Sequence, residues 1–346
     1  MASARPFRER SSVSDVLLQQ QDQVERSRRS FAIPFKPEIL LLLAGLLGFL
    51  AFPSDLGLLT RIAIMALFVL SLSFVLGQAG ILTLGHAALF GTGAYAAGLF
   101  AKYFSADPIL GLVAGGVAGS VVALVSGLLV LRAEGLTLLM MTVAVSQILM
   151  ETANKLSFTG GDDGLSDYSV NPIFGLFRFD MFGRTGYLYA LAILVLSYFA
   201  LNRIAASPFG LTCQGIRSDP GRMTALGCSV YRHLVIVYMI GGFFAGLAGA
   251  LSAQTAGVVG LNSFGFLLSA EALVMVVLGG TLRLSGAIAG TVGFMVIHHV
   301  TSTINPFHWL LVIGLLLIGV VLLLPCGITS AASVLRRHVE TLRARK

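Results

Sequence analysis

Charged side chains are scarce in this sequence, and their scarcity defines its broad class. Only 11% of the 346 residues are Asp, Glu, Lys or Arg, whereas 56% are hydrophobic. A soluble domain has about 25% charged residues. The hydrophobic residues come in repeated blocks, many of them near the length of about 20 residues that a membrane-spanning helix needs. The composition excludes an ordinary soluble domain and predicts an all-α, polytopic transmembrane helix bundle.

Cysteine and lysine are also rare, and each absence excludes a class of site. The three cysteines, Cys213, Cys228 and Cys326, are an odd set without metal-ligand spacing, so we expect free thiols and no disulfide framework. None of the four lysines follows a phosphate-binding loop of the form Gly-x4-Gly-Lys-Ser/Thr. We therefore expect no ATP bound in that mode, no cofactor held by this chain and no catalytic residues.

Ten apolar blocks are candidates for membrane-spanning helices. They are residues 38–53, 61–78, 81–104, 108–131, 134–153, 187–204, 233–257, 267–282, 284–303 and 307–325. Some blocks are short or interrupted by glycine, so eight full crossings with additional re-entrant segments is the competing count. Both counts are even, which predicts that the two termini lie on the same side of the membrane.

The net charge of +7 is confined to the two ends of the sequence. Residues 1–37 have a net charge of +3 and residues 332–346 a net charge of +4, which leaves the long middle neutral. Positively charged tails stay in the cytoplasm. We therefore expect basic cytoplasmic tails at 1–37 and 326–346 and a transmembrane domain at 38–325. No nucleic-acid partner is indicated.

Two polar loops flank the predicted span at 187–204 and therefore face opposite sides. The loop at 154–186 has a slight negative balance, with four aspartates against three basic residues. The loop at 205–232 is basic, and Asp219 is its only acidic residue. The bias of basic residues toward the cytoplasm predicts that the first loop is extracytoplasmic and the second cytoplasmic.

Each loop contains a short segment with its own pattern. Residues 159–165 combine glycines that can adopt positive φ with aspartates that can cap a turn. They lack the alternating acidic ligands of a calcium loop, so a tight turn is favoured over a metal site. Residues 222–227 are predicted to form a short helix that ends at a glycine. A lever between two spans and a passive connector both fit the second loop.

The segment at 77–98 is apolar and rich in small residues, with His86 as its only readily titratable side chain. Small residues let membrane helices approach closely, and glycine also permits breaks where the backbone lines a cavity. A tight helix interface and a substrate path therefore remain open. Glu271 lies in another apolar span, where a carboxylate is costly and faces a cavity or a partner. For Glu271, a functional role and a buried structural hydrogen bond are equally good interpretations.

Four spaced motifs carry a resemblance to a known family. They are, in order, Gly80-x4-Gly85-His86-Ala87-Ala88-x-Phe90-Gly91-x-Gly93-Ala94-Tyr95, Thr159-Gly160-Gly161-x2-Gly164-Leu165, Gly215-Ile216-Arg217-x-Asp219 with Ala225-Leu226-Gly227, and Glu271-x3-Met275-Val276-Val277-Leu278-Gly279-Gly280. With their flanking spans they resemble the LivM-type permease of bacterial branched-chain amino acid ABC importers, over roughly residues 60–325. The resemblance implies an ABC importer permease fold of about ten helices in the bacterial cytoplasmic (inner) membrane.

The resemblance also implies roles for the motif residues. A cytoplasmic coupling loop that contacts an ATPase would use Gly215, Ile216, Arg217, Asp219, Arg222, Ala225, Leu226 and Gly227. The translocation path would use Gly85, His86, Phe90, Gly91, Gly93, Tyr95 and Glu271. The dock for a solute-binding protein would use Thr159, Gly160, Gly161, Asp162, Asp163 and Gly164.

The implied function is a non-enzymatic transport subunit that works by alternating access. Its implied partners are a second related permease, two ATP-binding subunits that hold ATP and Mg²⁺, and an extracytoplasmic solute-binding protein. The chain departs from the family pattern at 219–222, where only the acidic residue of an acidic-Ala-Ala motif is kept. Branched-chain or other small amino acids are the expected solutes, with urea, amides or aromatic acids as alternatives. An ion-coupled secondary transporter is the alternative from another class.

Overall fold

The computed structural model describes residues 55–166, 168–172, 184–280 and 284–304, with short pieces at 41–42, 45–49 and 314. In the four longer ranges the chain forms ten α-helices and three short 3-10 turns, and no β-strand. The helices are α1 (Leu56–Ala79), α2 (Ala87–Tyr103), α3 (Pro108–Val130), α4 (Gly135–Lys155), α5 (Arg184–Ala205), α6 (Pro208–Ser218), α7 (Pro220–Ala225), α8 (Val230–Ala256), α9 (Phe266–Gly279) and α10 (Leu284–Ile304). The prediction of an all-α fold is confirmed for these ranges.

Six of these helices, namely α1, α3, α4, α5, α8 and α10, are long and apolar enough to cross a membrane. They coincide with the spans predicted at 61–78, 108–131, 134–153, 187–204, 233–257 and 284–303. α2 and α9 are shorter, with 17 and 14 residues. The predicted span at 307–325, most of the one at 38–53, and the two tails lie outside the described residues. The protein is a multi-pass membrane protein.

The predicted span at 81–104 is wrong at its start, because residues 81–86 are not helical and α2 begins at Ala87. α1 ends at Gly80, whose φ of +71° is left-handed and favours glycine. The chain then turns back into the bundle, since His86 lies beside Ser71 of α1. Ser71 precedes the end of α1 by roughly 12 Å of helical rise. The glycines of this segment were the signal for a break.

The bundle has two ends that carry different loops. The hairpin of α6 and α7 lies between the end of α5 and the beginning of α8. The turns at 157–165 lie at the opposite end of α8, where Val259 and Leu165 exchange two backbone hydrogen bonds of 2.8 and 2.9 Å. We call these the hairpin end and the turn end. The 27 residues of α8 separate them by about 40 Å.

The core of the bundle is formed by α1 and α8. Within an apolar stretch of 18 residues in each helix, 78% of α1 and 72% of α8 is buried. The corresponding share of α4 is only 17%. Phe68 and Phe74 of α1 are among the largest fully buried side chains. α4 therefore presents most of its surface outward, and the inner helices hold the residues that interact across the bundle.

Glycine allows the neighbours of α8 to approach its backbone. A methyl group on Gly93 of α2 would collide with the backbone of Gly246, and one on Gly249 would collide with the carbonyl oxygen of Phe90. A methyl group on Gly119 of α3 would likewise collide with the backbone of α8. Close backbone contact through small residues is a common mode of association in membranes. At Gly93 the sequence pattern therefore marks a helix interface.

We expect Gly93→Ala and Gly249→Ala to destabilise the protein, because each new methyl group would displace backbone atoms. Overpacking costs about 1–3 kcal/mol. The control is Gly57→Ala, at a helical position of α1 with open space around the site of the added methyl group. Size-exclusion chromatography of heated, detergent-solubilised protein measures the melting temperature. Equal values for the three variants would contradict this account of the interface.

Candidate functional site

The break between α1 and α2 is stabilised by side-chain hydroxyl groups. The amide of Leu84 donates to Thr142 Oγ1 at 3.3 Å, and the amide of Ala87 donates to Ser269 Oγ at 2.9 Å. A methyl group on Gly85 would collide with the carbonyl oxygen of Thr142. Non-helical backbone is tolerated in a membrane only where protein or a water-filled cavity surrounds it. Here α4 and α9 surround it.

His86, which the family resemblance assigned to the path, is fully buried beside this break. Its Nε2 lies 2.9 Å from Ser71 Oγ, and its ring stacks on Phe68 with centroids 5.4 Å apart. Its Nδ1 has no hydrogen-bond partner in the described part of the chain. His86 therefore joins α1 to the beginning of α2.

A cavity of about 670 Å³ opens at the turn end. Its walls come from α1, α2, α8, α9, the first turn of α5 and the 3-10 turn Leu261–Phe264. The polar lining residues include Thr60, Arg61, Ser252, Thr255, Asn262 and Ser263, and the apolar ones include Ile64, Met65, Phe90 and Leu268. A cavity of this size, with polar groups on apolar walls, can hold a small solute.

The remaining residues that the resemblance assigned to the path divide between this cavity and packing. Phe90 lines the cavity. Tyr95 stacks on Phe264 with ring centroids 5.4 Å apart, and a methyl group on Gly91 would also meet that ring. Glu271 is half-buried on α9 and lies within electrostatic range of Arg61. The structure thus places Phe90 at the cavity and Glu271 near it.

The hairpin consists of two capped helices. Ser207 caps α6, which begins with Pro208, and Asp219 caps α7 by accepting from the amide of Arg222 at 2.9 Å. Serine or aspartate followed by proline is a typical helix start; the sequence analysis missed this signal for α6. The predicted helix at 222–227 is displaced to Pro220–Ala225, and Gly227 follows with a φ of +84°.

The residues that the resemblance assigned to ATPase coupling differ in exposure. Gly215 lies against the side chain of Met223, and Ile216 is buried. Arg222 lies 3.6 Å from Asp219 in an exposed ion pair. Of this set, the exposed residues at the tip of the hairpin are Asp219, Arg222, Ala225, Leu226 and Gly227.

Two side chains of α6 join the hairpin to α1. Arg217 Nη1 donates to the carbonyl oxygen of Gly77 at 2.6 Å, and Gln214 Nε2 donates to Gln78 Oε1 at 2.9 Å. Both acceptors lie in the last turn of α1, immediately before the break at Gly80. A displacement of α6 therefore acts directly on the end of α1. We call these two hydrogen bonds the α6–α1 link.

Cys213 and Cys228 are free thiols in and next to the hairpin. Cys213 is buried against the bundle, whereas Cys228 is partly exposed. Burial, with a smaller contribution from Cys228, raises the pKa of the Cys213 thiol to about 11. Cys213 therefore stays protonated at neutral pH and is a poor nucleophile.

The predicted docking segment forms a compact turn. Thr159 Oγ1 donates to the carbonyl oxygens of Ala153 and Leu156. Tyr168 donates to the carbonyl oxygen of Ala253 at 2.8 Å, and burial raises the pKa of Tyr168 to about 12. These contacts hold the segment to α4 and α8. The positions with positive φ are Gly160, Gly161 and Gly164, and the exposed carboxylates are Asp162 and Asp163.

Sequence reasoning missed Arg61 and Gln214. Arg61 was treated as the edge of an apolar block, although it lies a turn and a half inside α1. The available signal was that an arginine within a span needs a cavity or a partner. Gln214 gave no such signal, because its partner Gln78 is distant in sequence.

A multi-pass helical bundle with a broken helix, a polar cavity at one end and an exposed hairpin at the other defines a membrane permease. The family model described as branched-chain amino acid transport system / permease component matches residues 55–321. The chain belongs to this family, and the resemblance inferred from the four motifs is confirmed.

Individual relatives agree with this assignment. The chain is 30% identical over 277 residues to the high-affinity branched-chain amino acid transport system permease protein LivM of Escherichia coli (strain K12), covering 72% of the chain and 64% of LivM. It is 28% identical to the galactose/methyl galactoside import permease protein MglC of Haemophilus influenzae over 58% of the chain and 62% of MglC. It is 27% identical to the guanosine ABC transporter permease protein NupQ of Bacillus subtilis over 51% of the chain and 60% of NupQ. No solved structure matches.

We expect Ser71→Ala and His86→Leu each to destabilise the junction of α1 and α2, because each removes the same buried hydrogen bond. Leaving a buried polar partner unpaired costs about 1–3 kcal/mol. The double variant should lose less stability than the sum of the losses in the two single variants, because both single variants remove the same hydrogen bond. Melting temperatures in detergent measure the cycle. Strict additivity would contradict the coupling.

The control for this cycle is Thr291→Val, because the buried Thr291 hydroxyl bonds only to the Ala287 carbonyl of its own helix among the described residues. Its loss leaves no side chain on another helix unpaired. A melting temperature as low as that of Ser71→Ala would show that the loss of any buried hydroxyl suffices.

Proposed function

We propose that this protein is the membrane-spanning permease subunit of an ATP-driven ABC importer for branched-chain or other small amino acids. It pairs with a second related permease, two ATP-binding subunits and an extracytoplasmic solute-binding protein in the cytoplasmic membrane. ATP and Mg²⁺ bind to the ATPase subunits, and this chain forms half of the translocation path. Import proceeds by alternating access of the path to the two sides.

The observation that carries the proposal is the α6–α1 link. The tip of the hairpin is exposed, with Leu226 at 74% of its full exposure, and it is therefore available to a partner. Its base is hydrogen-bonded through Arg217 and Gln214 to the last turn of α1. A subunit that moves the tip would therefore pull on the helix end that leads into the break. This geometry favours a lever over a passive connector.

The distribution of charge supports a cytoplasmic position for the hairpin end. Around this end, the described residues contain five basic side chains, Arg132, Arg203, Arg217, Arg222 and Arg232, against two acidic ones, Glu134 and Asp219. Around the turn end, they contain four basic side chains, Arg61, Lys102, Lys155 and Arg184, against six acidic ones, Asp55, Asp107, Glu151, Asp162, Asp163 and Glu271. Basic residues accumulate on the cytoplasmic side. The turn end is then extracytoplasmic and presents Asp162 and Asp163 to the binding protein.

The proposed solute class follows LivM of Escherichia coli. LivM is described by its name as a branched-chain amino acid permease and covers 72% of this chain, whereas MglC and NupQ, named for galactosides and guanosine, cover 58% and 51%. Urea, amides and aromatic acids remain the alternative solutes within the same type of importer.

The test is uptake by the complete complex reconstituted in proteoliposomes with its binding protein. We expect L-leucine to accumulate only when ATP is enclosed with the ATPase subunits, and galactose and guanosine to be excluded. A variant ATPase lacking its phosphate-binding lysine serves as the control. Accumulation that follows a proton or sodium gradient without ATP would overturn the proposal in favour of an ion-coupled transporter.

We expect Arg217→Ala to uncouple ATP hydrolysis from uptake, because it breaks the hydrogen bond between the hairpin and the end of α1. Charge-assisted hydrogen bonds contribute about 1.5–3 kcal/mol, so uptake per ATP hydrolysed should fall about tenfold or more. Uptake and phosphate release measured on the same proteoliposomes give this ratio. An unchanged ratio would show that the link does not transmit motion.

The matched control is Arg232→Ala. Arg232 is an exposed arginine at the hairpin end, in the first turn of α8. It makes no ion pair or hydrogen bond in the described part of the chain, so its removal should leave the ratio unchanged. A similar fall for both variants would indicate a general effect of positive charge at this end.

A further inference from the structure

Arg61 is a basic side chain at membrane depth that faces the cavity at the turn end. It lies six residues beyond Asp55, the N-cap of α1, or about 9 Å along the helix axis. Its side chain is exposed and contributes to the cavity wall. Among the described residues it makes no hydrogen bond and no ion pair within 4 Å. Arg61 therefore has its hydrogen-bond donors available.

A purely structural role does not account for this arrangement. A structural arginine inside a membrane protein is expected to pair directly with a carboxylate. Glu271 lies within electrostatic range of Arg61 but makes no such pair. An arginine that only extends toward lipid headgroups needs no polar cavity around it. The wall beside Arg61 nevertheless carries hydroxyl groups from Thr60, Ser252 and Ser263.

The chemistry of the cavity matches an amino acid with an apolar side chain. A guanidinium group binds a carboxylate through two parallel hydrogen bonds. The cavity also has apolar lining residues, Ile64, Phe90 and Leu268. Its volume of about 670 Å³ lies within the range of about 300–1,000 Å³ typical of small-molecule sites.

We infer that this cavity is a solute subsite in which Arg61 binds the carboxylate of a hydrophobic amino acid while the apolar wall receives its side chain. The inference rests on the proposed import function, and it adds the residue that recognises the solute on entry. Glu271 lies within electrostatic range of Arg61 but forms no ion pair with it in the described part of the chain.

The test measures the charge preference of the cavity by cysteine labelling. Ser263→Cys is introduced into the assembled complex in right-side-out vesicles. The labelling rate is then measured with anionic methanethiosulfonate ethylsulfonate and with its cationic trimethylammonium counterpart. Vesicles without the added cysteine give the background from the three native thiols. Cys213 is buried, Cys228 lies at the hairpin end, and Cys326 lies outside the described residues. Ser252→Cys, on another wall of the cavity, replaces Ser263→Cys if that variant does not assemble.

We expect the anionic reagent to be favoured about tenfold, because a charged cleft concentrates ions of opposite sign. Arg61→Gln should abolish this preference and Arg61→Lys should keep most of it. L-leucine and 4-methylpentanoate should slow the labelling, whereas L-leucinol, which lacks the carboxylate, should not. A preference unchanged in Arg61→Gln, or equal protection by L-leucinol, would overturn the inference.

Two controls separate the cavity from the rest of the surface. Ser157→Cys is exposed at the turn end outside the cavity, and its charge preference should not respond to Arg61→Gln. Arg184→Gln removes an exposed arginine from the same end and should leave labelling at Ser263→Cys unchanged. A response of either control would assign the preference to the general surface field and overturn the subsite.

The labelling experiment needs neither ATP nor transport, so the two proposals fail separately. If ATP-dependent uptake of L-leucine is absent while labelling stays anion-selective and protected by carboxylates, the import proposal fails and the subsite stands. If uptake is present while labelling has no dependence on Arg61, the import proposal stands and the subsite fails.

Discussion

Backbone amides buried in a bilayer must find partners inside the protein, and this constraint shapes the centre of the molecule. Residues 81–86 leave the helical conformation between α1 and α2. Here the Thr142 hydroxyl accepts a hydrogen bond from the amide of Leu84, and the Ser269 hydroxyl accepts one from the amide of Ala87, the first residue of α2. Those hydroxyls come from α4 and α9, so the break also fixes where these two helices lie. His86 adds a contact to Ser71 on α1. A local departure from helix thus organises four helices.

α1 connects the two ends of the bundle on which the proposed function depends. Its last turn accepts the hydrogen bonds of Arg217 and Gln214, and its second turn carries Arg61 at the cavity. Between them most of α1 is buried, and Gly241 of α8 lies against the side chain of Val75 of α1. Under the proposed mechanism, a displacement of the hairpin would be transmitted to the cavity through α1.

The sequence predicted the features that depend on local composition. Apolar blocks predicted six spans, and Gly227 marked the end of α7, because hydropathy and helix capping act over a few residues. The start of α2 was predicted incorrectly, since whether a glycine such as Gly85 packs or breaks a helix depends on the carbonyl of Thr142 that it meets. The α6–α1 link was beyond sequence reasoning for the same reason: Gln214 and Gln78 are 136 residues apart. Residues 281–283, which follow the last family motif, lie outside the described structure.

The cavity has a consequence for which solutes the proposed importer accepts. An arginine that enters a dehydrated path needs a partner, because an unpaired charge is costly to desolvate. A galactoside or guanosine, the solutes in the names of MglC and NupQ, has hydroxyl groups but no carboxylate, so it would leave Arg61 uncompensated. A carboxylate would neutralise the arginine if the proposed path closed around it. Solutes that cannot form this charge pair would be disfavoured. Selection by the permease would then add to selection by the binding protein.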